Sequence, residues 1–205
     1  MSPPVNAGPQ TGTGTPPGNV NGQAIAITVF STVKRWGVPW LKALVFNEPK
    51  LLPQTLLWLQ KLSFIHFARW TLVTELPHNG APQPRQKLRH PHLYFESNFN
   101  GGWEEYIDAF SYVLGPGMTA FWGSSYGFPG PVPTAPFKAY IQTSDLTLVA
   151  SHFYAAYPES TVTMIEQSLE LDGYLDELRA KVDKLSPDEF VEAFDALLAK
   201  GQRCF

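Results

Sequence analysis

Cysteine is almost absent from this sequence: Cys204 is the only one in 205 residues. An internal disulfide is therefore excluded, which fits a reducing compartment. Charge is scarce as well, with Asp, Glu, Lys and Arg at 16% where about a quarter is usual. The formal net charge of −3 and a pI near 5.9 supply no general attraction to nucleic acid. Long apolar runs are missing too. The stretch 24–33 reaches only about half the length of a membrane span, and the first charge is Lys34, so the N-terminus has no basic leader region. These absences lead us to expect a cytoplasmic protein.

Aromatic residues are plentiful, at 14% with six Trp, inside a 44% hydrophobic composition. A chain of this length has ample material for a core, and that many rings suggest an aromatic interior or ligand cavity. Residues 1–23 are Pro, Gly, Thr and Asn with little to bury, and are expected to form a disordered tail. Residues 24–62 are expected to form an apolar helical arm. Within it, AIAITVFSTVKRW suits helix or strand, while VPWLKALVFN and LPQTLLWLQKL read as short helices. The arm carries Trp36, Trp40 and Trp58 with Lys34, Arg35, Lys42, Lys50 and Lys61. It suits a membrane surface, or packing on the chain's own core or a dimer partner. The scattered cations favour packing.

Residues 63–205 are expected to be an α+β core domain. FIHFARWTLV reads as a central strand and HLYFESNF as a second, antiparallel one across a Pro-rich turn. Asn100 is the expected cap of a helix from Trp103 to Leu114, which Gly115-Pro116-Gly117 would stop. MTAFWGSS and LTLVASHFYAAYP suggest further strands, and Phe137 to Thr143 a helix. A long helix should open at Ser160 with Val162, Ile165, Leu169, Tyr174, Leu175 and Leu178 inward. Ser186-Pro187-Asp188-Glu189 is a capping box that starts the last helix. The economical arrangement is a ferredoxin-like antiparallel sheet covered by helices, often a homodimer.

Two charges interrupt the apolar strands, Arg69 and Glu96. Pairing Thr74 with His92 would set 69 by 97 and 70 by 96, leaving the two charges in diagonal reach. A charge in a strand core needs a partner or a functional cavity, so the pair is either a register-fixing ion pair or a polar anchor for a ligand. His90-Pro-His92 has metal-like spacing but no companion ligands, so no metal site is expected. His66 and His152 lie in apolar stretches, as core histidines or as haem ligands. Gly123-Ser124-Ser125-Tyr126-Gly127 fits G-x-S-x-G, but its exit, FPGPVP, does not start a helix. It reads better as a glycine-rich loop that lets a ligand approach Ser125.

FIHFARW, LYFESNFNGGWEEYIDAF and HFYAAYPESTV resemble an uncharacterised bacterial family reading roughly FARW, FxSNFDGxWxxYxxDF and YxAYPxxTV. The resemblance covers about residues 61–180. That family looks related to the dimeric α/β-barrel superfamily, which holds dye-decolourising peroxidases, chlorite dismutase-like haem proteins and cofactor-free enzymes. The family's Asp is Asn100 here.

The expected function is binding of a small apolar or aromatic molecule in an aromatic-lined cavity, with cofactor-free oxidoreductase or lyase chemistry as its enzymatic form. The alternatives are a haem-binding peroxidase-like protein, using His152 or His66, and a non-enzymatic protein attached to a membrane surface or partner. Arg69, Glu96 and Tyr106 are the candidate catalytic residues. His66, Trp70, Trp122, Ser125, Tyr126, His152 and Tyr154 are the candidate ligand-binding ones.

Overall fold

The computed structural model describes residues 23–51, 57–59, 61–147 and 153–204. The expected tail, save its last residue, lies outside them, as does His152 with the middle of the last expected strand.

The longest strand is Lys87–Asn100, here β3; before it come β1 (Ala24–Thr32) and β2 (Ile65–Glu75). The sheet is antiparallel with order β1-β3-β2. Strict alternation in β3 sends Leu93, Phe95, Ser97 and Phe99 into the core and His92, Tyr94, Glu96 and Asn98 to the other face. Pro91 stands in this central strand without an amide to donate. Its position falls within the bulge between Val73 and Glu75, and its carbonyl accepts from Val33 N at 2.8 Å.

The segment AIAITVFST is therefore a strand and not the start of a helical arm. Its β-branched, alternating pattern puts Ile25, Ile27 and Val29 on the core face beside Phe99, Ser97 and Phe95. It takes one edge, so FIHFARWTLV is the opposite edge strand and not a central one. The outer edge of β1 meets two short bridges, Val33 with Ser125 and Val29 with Asp145, instead of a fourth strand. Tyr126 N to Thr32 O at 2.9 Å and Leu146 N to Thr28 O at 2.8 Å occupy its carbonyls.

Among the elements described, four helices cover the core face. Helix α1 (Val38–Leu51), broken at Asn47, brings Leu41 and Leu44. Helix α2 (Trp103–Val113) brings Tyr106, Ile107 and Phe110. Helix α3 (Gly115–Trp122) brings Met118, Phe121 and Trp122, and α4 (Thr134–Ser144) brings Phe137 and Ile141. Phe95 is the hub, with ring centroids of Trp70 and Trp122 both at 5.1 Å and Phe110 at 5.9 Å.

The stretch expected as the strand MTAFWGSS is mostly α3. Pro116 sits in the first turn of that helix, where its fixed φ favours starting one, so Gly-Pro-Gly ends α2 and begins α3 at once. Residues 153–161 contain no strand.

Two C-terminal helices, α5 (Val162–Arg179) and α6 (Pro187–Lys200), complete the described chain. The capping box at Ser186 is formed in full. Helix α5 starts at Val162 behind a Thr161 cap that accepts from Met164 N at 3.1 Å. None of its residues is buried: of the expected inward row, Val162, Tyr174, Leu175 and Leu178 are half-buried, while Ile165 and Leu169 are exposed. The α+β class holds, with three antiparallel strands among the described residues.

Candidate functional site: the open face of the sheet

Helices cover one face of the sheet, and the other carries side chains that no helix of the core covers. Its rows follow from register: Ala26, Asn98 and Phe67; Thr28, Glu96 and Arg69; Phe30, Tyr94 and Thr71. Arg69 lies directly opposite Glu96, one residue from the expected pairing, so the two share a face. The Arg69 guanidinium donates to Glu96 Oε2 at 2.7 Å, and the Tyr94 hydroxyl donates to the same oxygen at 3.2 Å. The guanidinium also lies 5.8 Å from the Tyr94 ring centroid. Partial burial, with Glu96 beside it, raises the Tyr94 pKa. Next along, Phe30 stacks on His92 at 4.4 Å, and burial lowers the His92 pKa.

At the other end, Phe67 and Asn98 enter a groove of about 430 Å³ shared with His66, Tyr154, Tyr157 and Ile165. The bulge between Ile65 and Phe67 turns His66 into that wall, where its Nε2 is buried without a hydrogen-bond partner. The segment carrying the tyrosines is tied to β1 by Ala24 N to Pro158 O at 2.7 Å. Three rings are left largely in water: Phe67 at 75%, Tyr154 at 80% and Tyr157 at 79% exposure.

The structure thus brings together Arg69, Glu96, His66 and Tyr154 on one face. It does not unite the other candidates with them. Tyr106, Trp70 and Trp122 belong to the helix-covered core. Tyr106 stacks on Phe99 at 3.7 Å, and burial pushes its hydroxyl far above the ordinary tyrosine pKa, with Ser97 opposing the rise. Neither that hydroxyl nor that of Ser97 makes a hydrogen bond of good geometry. Trp70 stacks on Phe121 at 4.8 Å, and Trp122 Nε1 donates to Ser31 Oγ at 3.2 Å.

Ser125 is buried in the bridge to Val33 with its hydroxyl unpartnered, so the G-x-S-x-G match is a turn against β1 and not a nucleophile on a strand-to-helix elbow. Tyr126 is half exposed at the far end, edge-on to His90 at 6.1 Å, beside a separate hollow shared with Phe30 and Tyr140. Among the described residues no three His, Cys, Asp or Glu gather as a metal site, and no helix is long and apolar enough to cross a membrane.

Reading by residue type missed Phe67, Tyr94, Asn98 and Tyr157 as face residues. The signal was present for three of them: each stands two positions from Arg69 or Glu96, the period of a strand face. The face and groove define an α+β protein with one uncovered, aromatic and polar sheet surface. No family model, curated protein or solved structure matches the chain.

Proposed function

We propose that the chain binds a small apolar or aromatic molecule in the groove at the end of the open face, with Arg69 and Glu96 orienting a polar group of that ligand. The observation that carries this reading is the convergence of Phe67, Tyr154 and Tyr157 on one groove, a single pleat repeat from the ion pair. Two residues along a strand span about 7 Å, so a ring against Phe67 reaches Arg69 with a short polar substituent. Exposed rings around a hollow gain most from an apolar occupant, and a few placed polar groups set its orientation. In the enzymatic form of this reading, Glu96 is the proton acceptor, oriented by the hydrogen bonds it accepts from Arg69 and Tyr94. The helices on one side and the free face on the other support a ferredoxin-like arrangement.

Native mass spectrometry of the purified chain should find an organic molecule bound, and Phe67→Ala and Arg69→Ala should each weaken its retention at least tenfold with an unchanged circular dichroism spectrum. Equal retention by both variants overturns the reading.

A haem reading has one observation in its favour, the unpartnered His66 Nε2 in the groove wall. A Soret band on adding haemin, lost in His66→Ala, would select it; no band would dismiss it.

A further inference from the structure

A hollow of about 530 Å³ lies at the end of β1 away from the groove. β1 contributes Phe30 and Thr32 to its wall, and the loop after α3 contributes Tyr126. Helix α4 contributes one face, which runs from Pro136 through Tyr140 to Thr143 at steps of three and four residues. These walls are held from outside the hollow. Tyr126 N donates to Thr32 O at 2.9 Å, and Phe128 stands edge-on to Phe137 at 6.0 Å and to Tyr140 at 5.8 Å. Helix α4 buries Phe137 and Ile141 in the core, and Lys138 Nζ lies 2.9 Å from Asp108 on α2. A hollow with such fixed walls, in the range of about 300–1,000 Å³, suits a small ligand that pays little ordering cost on entry.

The lining sets the chemistry of that ligand. Three rings, Phe30, Tyr126 and Tyr140, border the hollow beside the hydroxyls of Thr32, Thr143 and Ser144. None of the described residues that line it is acidic or basic. Lys34 Nζ stands 5.8 Å from the Tyr126 ring centroid but is not part of the lining. A charged ligand would therefore lose water without gaining a counter-charge. A wholly apolar ligand would cover the hydroxyls and replace none of their bonds to water. Tyr140 adds polarity behind the wall: its hydroxyl is buried and, like that of Ser125, makes no hydrogen bond of good geometry. Burial raises the Tyr140 pKa, with Ser31 and Ser125 opposing the rise, so that hydroxyl keeps its proton.

We propose that this hollow is a second ligand site, and that it takes a neutral ring bearing several hydroxyls, of the monosaccharide class. An apolar ring face lies against Tyr126, and the ligand's hydroxyls meet those of Thr32, Thr143 and Ser144. The site is independent of the groove around Phe67 and of the Arg69–Glu96 pair, which line no part of it.

Heteronuclear NMR of the full chain, titrated with D-glucose, D-galactose and D-mannose, tests this. At least one sugar should shift the amide signals of residues 126–129 and 136–144 saturably. D-glucuronate and toluene should bind at least tenfold more weakly than that sugar, a comparison that needs no variant. Tyr126→Ala removes a half-exposed ring, and Ala139→Trp fills the hollow from an exposed helical position. Each should keep the dispersed spectrum of wild type and weaken the sugar at least tenfold. Phe67→Ala should leave it unchanged, so this site and the groove stand or fall separately. Saturable shifts from none of the sugars overturn the proposal. So do glucuronate or toluene binding within tenfold of the sugar, a smaller loss in either folded variant, or a comparable loss in Phe67→Ala.

Discussion

Asn100 and Val162 are joined across 62 residues: the Asn100 side-chain oxygen accepts the Val162 amide at 3.0 Å. Asn100 therefore caps α5 and not the helix that follows it, α2, whose N-cap is Gly102 with no side-chain bond. Gly101 has φ +97°, which frees the chain to turn there and leaves the Asn100 side chain facing the later helix. Asn100→Ala should cost about 1 kcal/mol in urea denaturation. Asn100→Asp should keep the contact, since a carboxylate accepts the same amide and suits a helix N-terminus. Equal stability of Asn100→Ala and wild type would remove the cap from the account.

In the Arg69–Glu96 pair the guanidinium side chain is mostly in water, at 66% exposure, and the carboxylate side chain is half-buried, at 34%. Exposed ion pairs contribute little to folding. Arg69→Ala should therefore fold with a thermal midpoint close to wild type while losing ligand retention. A large drop in the midpoint would make the pair structural.

Tyr106 stacks on Phe99, but its hydroxyl is buried without a hydrogen-bond partner. Tyr106→Phe should be neutral or stabilising by up to about 1 kcal/mol, because it removes an unsatisfied polar group and keeps the ring. Phe99→Ala should cost about 3–5 kcal/mol by opening a cavity against the same ring. If Tyr106→Phe instead abolishes ligand retention while remaining folded, the hydroxyl has a role that its burial does not suggest.

Asp145 is buried, accepts from Thr147 N at 2.8 Å, and has its pKa raised by that burial. Below the unfolded value of about 4 both states hold the proton and the group is neutral in its effect. As pH rises through the folded pKa, the native state must carry a desolvated charge and relative stability is lost. Asp145→Asn keeps the acceptor oxygen, so it should be more stable than wild type at pH 7 and equal to it near pH 3. A constant difference across that range, read by denaturant melts, would contradict the shift.

Much of the architecture was legible because it depends on local chemistry. The capping box at Ser186, the amphipathic row Tyr106, Ile107 and Phe110, and the alternation of β3 are periodicities of a few residues. MTAFWGSS departs from its expected strand because an apolar run of that length suits strand or helix, and Gly115-Pro116-Gly117 reads as a stop although Pro116 heads α3. For AIAITVFST the sequence left strand or helix open until the edge of β3 was known.

By itself the sequence determined the α+β class, the helix starts at Trp103 and Pro187, and the presence of Arg69 and Glu96 as charges in otherwise apolar strands. Tertiary structure alone decided that these two face one another, because the irregularity between Val73 and Glu75, where β3 runs five residues against two on β2, sets the register of the pair, and a shift by one reverses every side chain. It also decided that Tyr106, Trp70 and Trp122 lie in the core while His66 and Tyr154 share a groove. Which face of a sheet is covered depends on where distant helices pack, and nothing within a single strand encodes that.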